Sequence, residues 1–306
     1  MLLRKKNFLP VLLLLLLSIA GCSGFPGCDT AQKNSPGKTQ EKKETPKVIK
    51  DIETAALEIM QMANLIPLVE ADSPKPEETA EKGGEEAGQK GGTEQEGGSS
   101  NVVLTFEKTI LGETIKRELE TEAGNGKESK MPDDTEQIWD NIKMTVTKLH
   151  GQWNDLEPML VEKKVFPEAI SNFEEALDSL TISITEHDYF GTLTAANELT
   201  GCLSKIMPPF AENPLPVATD LKYHLRKILL DVASADYNGA QESLNYMKEH
   251  NHTVTSSLQE GEKKAEILRT SLDNLQDALN ERNPGLINIK AAIVMEELAG
   301  IIKDQQ

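Results

Sequence analysis

From residue 134 onward the chain places an apolar side chain every three or four positions, and few folds accept that pattern. Ile138, Ile142, Val146, Leu149, Trp153, Leu156 and Leu160 advance in steps of four and three, which lines them along one face of a helix with 3.6 residues per turn. Pro167 opens a second stripe of Ile170, Phe173, Leu177, Leu180 and Ile184. Proline fits there because the first-turn N–H has no partner within the helix anyway. A third helix runs to about Met207 and stops at Pro208-Pro209. Pro214 and Pro216 frame the entry to a fourth, striped by Val217, Leu221, Leu225, Ile228 and Val232. The last, apolar at Ile287, Ala291, Val294, Leu298 and Ile301, follows an Asn283-Pro284-Gly285 turn. Stripes joined by short turns must bury against one another. They predict an all-α fold, an elongated antiparallel helical bundle over 134–306, preceded by disordered tethers.

Between those helices the heptad phase continues unbroken from Ala240 through Leu244, Met247, Asn251, Val254 and Leu258 to Leu279. It reads as one long helix, or as two collinear ones with a kink where residues 252–261 are poor in helix formers. Asp188-Tyr189-Phe190-Gly191 and Asp236-Tyr237-Asn238-Gly239 supply two matching turns. The pattern also suggests a faint internal repeat, with 134–163, 168–187 and 191–207 echoed by 239–260, 262–281 and 286–303.

Upstream of 134 the texture is different. Residues 22–50 are rich in Lys, Pro, Gly and Ser and read as a disordered tether. Residues 51–66 show a short amphipathic helix at Ile52, Ala56, Ile59 and Ala63, an isolated patch that is marginal unless it docks. Residues 71–133 read as a mostly disordered, acidic, Gly-rich linker. Its first part, 71–100, holds seven glycines, eight acidic residues and no Leu, Ile, Val or Phe, too little apolar surface to offset ordering entropy. A short helix is expected within 101–120, through Arg117.

The first 21 residues carry a different signal. Arg4, Lys5 and Lys6 precede an apolar run from Phe8 to Ala20 with six consecutive leucines, the layout of an export leader and shorter than the ~20 apolar residues a spanning helix needs. Ile19-Ala20-Gly21-Cys22 then resembles the lipobox of bacterial lipoproteins. The resemblance implies a signal peptide over 1–21, cleavage after Gly21 and lipid on Cys22. It thereby implies an extracytoplasmic protein anchored to the cell membrane, or to the outer membrane where a cell has two. The helical region from Trp139 to Phe210 is similar to uncharacterised lipoproteins of Gram-positive anaerobes, on Trp139, His150, Trp153, Ala196, Asn197 and Leu199. That likeness implies a helical surface domain and carries no chemistry.

Charge narrows the partners. The formal net charge of −18 becomes −21 once the three leader cations are removed, which argues against nucleic acid. The membrane, through lipid on Cys22, is the expected partner, together with an envelope protein or a small ligand. No cofactor is expected and no enzyme: Cys-x-x-Cys, His-x-x-x-His, Gly-x-Ser-x-Gly and phosphate-loop patterns are all missing from the sequence. His150, one turn before Trp153, and His224 are the candidate ligands for the alternative of a metal- or haem-binding bundle. A second alternative is an enzyme whose site assembles from scattered residues. Trp139, Trp153, Tyr223 and Tyr246 are the candidates for a ligand groove, against the simpler expectation that both tryptophans pack in the core.

Overall fold

Burial begins well before residue 134. In the computed structural model, which describes residues 45–72, 109–123, 134–211, 214–256 and 260–303, helix α1 spans Lys47–Ala63 and lies in the core. Its Ile49, Ile52, Ala56, Ile59, Met60 and Ala63 are fully buried, packed against α4 (Thr135–Glu162) and α6 (Tyr189–Ile206). Each large aliphatic side chain withdrawn from water stabilises that docking by roughly 1.5–3 kcal/mol. The helix expected at 51–66 is therefore an inner member of the bundle rather than an isolated patch, and the bundle does not start at 134. By length and apolarity the stretch Lys47–Ala71 also qualifies to cross a membrane, but most of it is buried against protein, as in a core helix.

Two short helices follow, α2 (Ile66–Asp72) and α3 (Gly112–Ala123). The segment expected to be helical within 101–120 thus turns helical only at Gly112 and runs past Arg117 to Ala123. Residues 1–44, 73–108 and 124–133, which hold the expected leader, Cys22, and most of the tether expected at 22–50 and of the linker expected at 71–133, lie outside the described residues. The end of that expected tether, from Lys47 to Lys50, is instead the first turn of α1. α3 packs on α10 (Pro284–Lys303) and α1. Asn64 at the end of α1 fixes its entry: Oδ1 accepts the Leu111 N–H at 3.1 Å while Nδ2 donates to the Met60 carbonyl.

The remaining helices are α5 (Pro167–Thr185), α7 (Leu215–Ala233), α8 (Tyr237–Thr255) and α9 (Gly261–Glu281). Among the described residues the fold is all-α, with no strand. Neighbour relations resolve into two four-helix rings. In one, α1, α4, α5 and α6 each pack on the next and α6 returns to α1; in the other α7, α8, α9 and α10 do the same. α6 against α7 joins them, and α3 bridges α10 to α1. The faint sequence repeat maps onto this arrangement, with α1 standing to α4–α6 as α7 stands to α8–α10.

One expectation is corrected outright. Residues 240–279 are neither one helix nor two collinear ones, because α8 and α9 fold back and pack on each other. The heptad phase survives the reversal since both helices turn their stripes to the same core. The reversal falls where helix formers run out, with Glu260 at φ 60°. Other hairpins close through left-handed residues too: Lys164, His187, Ala235 and Arg282, none of them glycine. After His187 and Ala235 the closure is the same. Asp188 N–H reaches the Ser183 carbonyl at 2.9 Å and Asp236 N–H the Asp231 carbonyl at 2.7 Å, satisfying end-of-helix acceptors. Each aspartate then caps the next helix by accepting the N–H of Gly191 or Gly239. A Cβ at Gly191 would collide with the Asp188 carboxylate, and one at Gly239 would come within 2.7 Å of Asp236.

The core is not wholly apolar. Arg226 of α7 is fully buried and donates to Glu118 of α3 at 2.6 Å, to Asn197 of α6 at 2.8 Å and to Thr200 of α6 at 2.9 Å. Lys222, one turn earlier, bridges the other oxygen of Glu118 at 3.0 Å and Glu53 of α1 at 2.9 Å. Burial alone would raise the Glu118 carboxyl; the two adjacent cations outweigh it and hold it below the usual range. Removing one partner of such a group strands the others in low dielectric. Glu118→Gln is expected to lower the unfolding free energy by about 3 kcal/mol or more in denaturant titration; a loss under about 1 kcal/mol would show that the cations relax to water. A second test concerns α1. With a protease site inserted between residues 73 and 108 and cut, the α1–α2 fragment is expected to co-elute with the rest and part from it only in denaturant. Separate elution under native conditions would mean that connectivity, not burial, holds α1.

Candidate functional site

Where the two rings meet, α6 and α7 approach closely because Gly201 has no side chain. The Tyr223 ring lies against it, and a Cβ at Gly201 would sit 2.9 Å from Tyr223 Cδ2. Helical spacing then lines up two polar rows. On α7, Asp220, Tyr223 and His224 follow the i, i+3, i+4 rule; on α6, Glu198, Gly201, Cys202 and Lys205 follow i, i+3, i+4, i+7. Phe166, Ala169 and Asn172 from the start of α5 supply the third wall. Together these residues line a cleft of about 440 Å³, within the size range of small-molecule sites.

Asp220 organises one side. Its Oδ1 accepts from Ser204 Oγ at 2.8 Å and from Lys205 Nζ at 2.7 Å, and its Oδ2 accepts from Tyr246 Oη of α8. Burial would raise this carboxyl, but the donors from Lys205, Tyr246 and Ser204 outweigh it and keep it ionised below the usual range. Glu198 organises the other. Both of its oxygens accept from Tyr223 Oη, at 3.0 and 3.1 Å. Burial and then the Glu198 charge push the Tyr223 phenol upward, so it stays protonated and donating.

Between these carboxylates runs an aromatic ladder. His224 meets Tyr223 edge-on with centroids 4.8 Å apart, stacks on Tyr246 at 4.1 Å, and Tyr246 stacks on His250 at 4.1 Å. Burial drives the His224 imidazole down to about 4, with Lys205, Lys227 and His250 adding to that effect and Asp220 opposing it. Its Nδ1 is buried and has no hydrogen-bond partner among the described residues. Burial, with Glu198 adding to it, pushes the Cys202 thiol up to about 11, and the thiol donates to the Asn172 carbonyl. It is a protonated, half-buried lining group and not a thiolate.

The structure divides the groove expected from the sequence. Tyr223 and Tyr246 come together, through His224. Trp139 and Trp153 do not join them: both belong to α4, which packs on α1, α5 and α2, whereas α7 and α8 pack on each other. Trp139 stacks on His187 at 4.8 Å and Trp153 on Phe173 at 4.2 Å, each at most 5% exposed. His150 and His224 are likewise apart, one in each ring. His150 Nε2 pairs with Thr181 Oγ1 at 2.9 Å, and no group of three potential metal-ligating side chains gathers among the described residues. Sequence reasoning passed over Asp220, Glu198 and Lys205, although their spacing on two adjacent stripes was the available signal. No protein-family profile, curated protein or solved structure matches this chain.

The depressed His224 has a consequence for stability. Folding keeps it neutral down to about pH 4, whereas an unfolded histidine titrates near pH 6.5. Its contribution is therefore fully present above about pH 6.5 and is lost as pH falls through that window towards 4. Thermal melts of His224→Gln are expected to fall less steeply between pH 6.5 and 4 than those of the parent chain; parallel curves would show that the imidazole is protonated in the folded state.

Proposed function

We propose that this chain is a membrane-anchored extracytoplasmic lipoprotein whose helical bundle is a non-catalytic binding module, with the α5–α6–α7 cleft as its site. One observation carries the reading: a basic, leucine-rich leader runs directly into Ile19-Ala20-Gly21-Cys22. Two or three acyl chains, at roughly 0.8 kcal/mol per buried methylene, anchor a protein stably where a single chain does not. The partners are the membrane, through Cys22, and a ligand or envelope component met by the bundle.

The chemistry of the cleft favours binding over catalysis. Burial holds its thiol protonated and leaves its imidazole a weak base, lowered to about 4, and Asp220 is already committed to three donors. Nucleophilic catalysis needs a nucleophile in hydrogen-bond reach of an oriented base, and Cys202 instead donates to a backbone carbonyl. Residues 23–46 separate Cys22 from the first described helix. The test is metabolic labelling with a fatty-acid analogue. The parent chain is expected to take up label and fractionate with membranes, and Cys22→Ser to lose the label and accumulate as precursor or soluble protein. Undiminished label on Cys22→Ser would overturn the anchor.

A further inference from the structure

The cleft holds a charge imbalance that its own residues do not settle. Lys205 is committed to Asp220. Glu198, half-buried on α6, receives the neutral Tyr223 hydroxyl, and among the described residues no cation pairs with it. Glu168 adds a further negative charge at the rim, and His224 contributes no positive one. The same cleft is lined by three aromatic rings, Tyr223, His224 and Phe166, the last of them 81% exposed. A half-buried carboxylate that shares a cleft with aromatic rings is a complement to one kind of group. An ammonium there gains a charge-assisted hydrogen bond and ring–cation attraction at once, whereas a carboxylate or phosphate would meet repulsion.

We infer that the cleft binds an organic ammonium ion with an aromatic or apolar body, its nitrogen at Glu198 and its body against Tyr223 and Phe166. This deepens the binding-module reading and rests on it. The volume of about 440 Å³ suits a ligand of one or two rings and excludes a folded partner. The neutral hydroxyl of Tyr223 plays a defined part. By donating to both Glu198 oxygens it fixes the carboxylate while leaving their remaining lone pairs for the ligand.

Calorimetry and NMR titration of the full chain in detergent, with 2-phenylethylammonium, neutral 2-phenylethanol and anionic 3-phenylpropionate, make the test. The cation is expected to bind about 10-fold or more tighter than either congener, and Glu198→Gln to remove that preference. Phe166→Ala, at an exposed position that folding does not need, is expected to weaken the cation about threefold and shift the resonances of Tyr223. The inference is overturned if the alcohol or the acid binds within threefold of the cation, if Glu198→Gln leaves the preference intact, or if the cation gives no signal up to about 10 mM. Binding of the alcohol alone would sink the choice of a cation but keep the cleft as a binding site. None of these outcomes bears on the lipid anchor, which the labelling experiment tests separately.

Discussion

The guanidinium of Arg226 is the point on which the rest of the fold depends. It sits where water cannot reach, so every donor it carries must be met by protein. Asn197, Glu118 and Thr200 each accept from one of its three nitrogens, and they come from α6 and α3 while the arginine comes from α7. Lys222 extends the same network to Glu53 on α1. One cluster therefore ties both rings and the bridging helix into a single register. Such a cluster adds little net stability over an apolar layer of the same shape. What it adds is uniqueness, since a helix that slid by one turn would leave a charge unanswered.

That dependence explains what the sequence did and did not disclose. α4, α5, α7 and α10 were legible because a one-sided stripe, bounded by prolines or capping aspartates, is a local property. α1 was legible as a helix but not as core, since its burial depends on faces of α4 and α6 that lie far along the chain. α3 was harder still: its polarity looks like that of a linker until Glu118 is seen to answer two buried cations. The reversal between α8 and α9 was hidden by a heptad phase that records which face is buried and not which way the chain runs. At the cleft, Tyr223, Tyr246 and His224 stood out by residue type. Glu198, Lys205 and Asp220 did not, because a charged side chain on a helix is ordinarily solvated surface and only the closeness allowed by Gly201 makes these three a site. The tryptophans drew attention for their rarity and went to the core for their area.

The two rings repeat a topology, yet their matching Asp-Tyr-x-Gly turns do not fall at equivalent places. One lies between the third and fourth helices of its ring and the other between the first and second. The shared turn is then a solution to a local problem. A left-handed residue closes one helix, an aspartate opens the next, and glycine gives that carboxylate room. The cleft, by contrast, belongs to neither ring alone and exists only along their seam.

The placement of α1 also decides how the chain bears mechanical load. Any pull transmitted through residues upstream of Thr45 arrives at a helix walled in by α4 and α6, not at a peripheral strap. Tension is delivered directly to the interior and from there, through Glu53 and Lys222, across to the second ring. A load applied at that end would therefore have to break the buried contacts of α1 first.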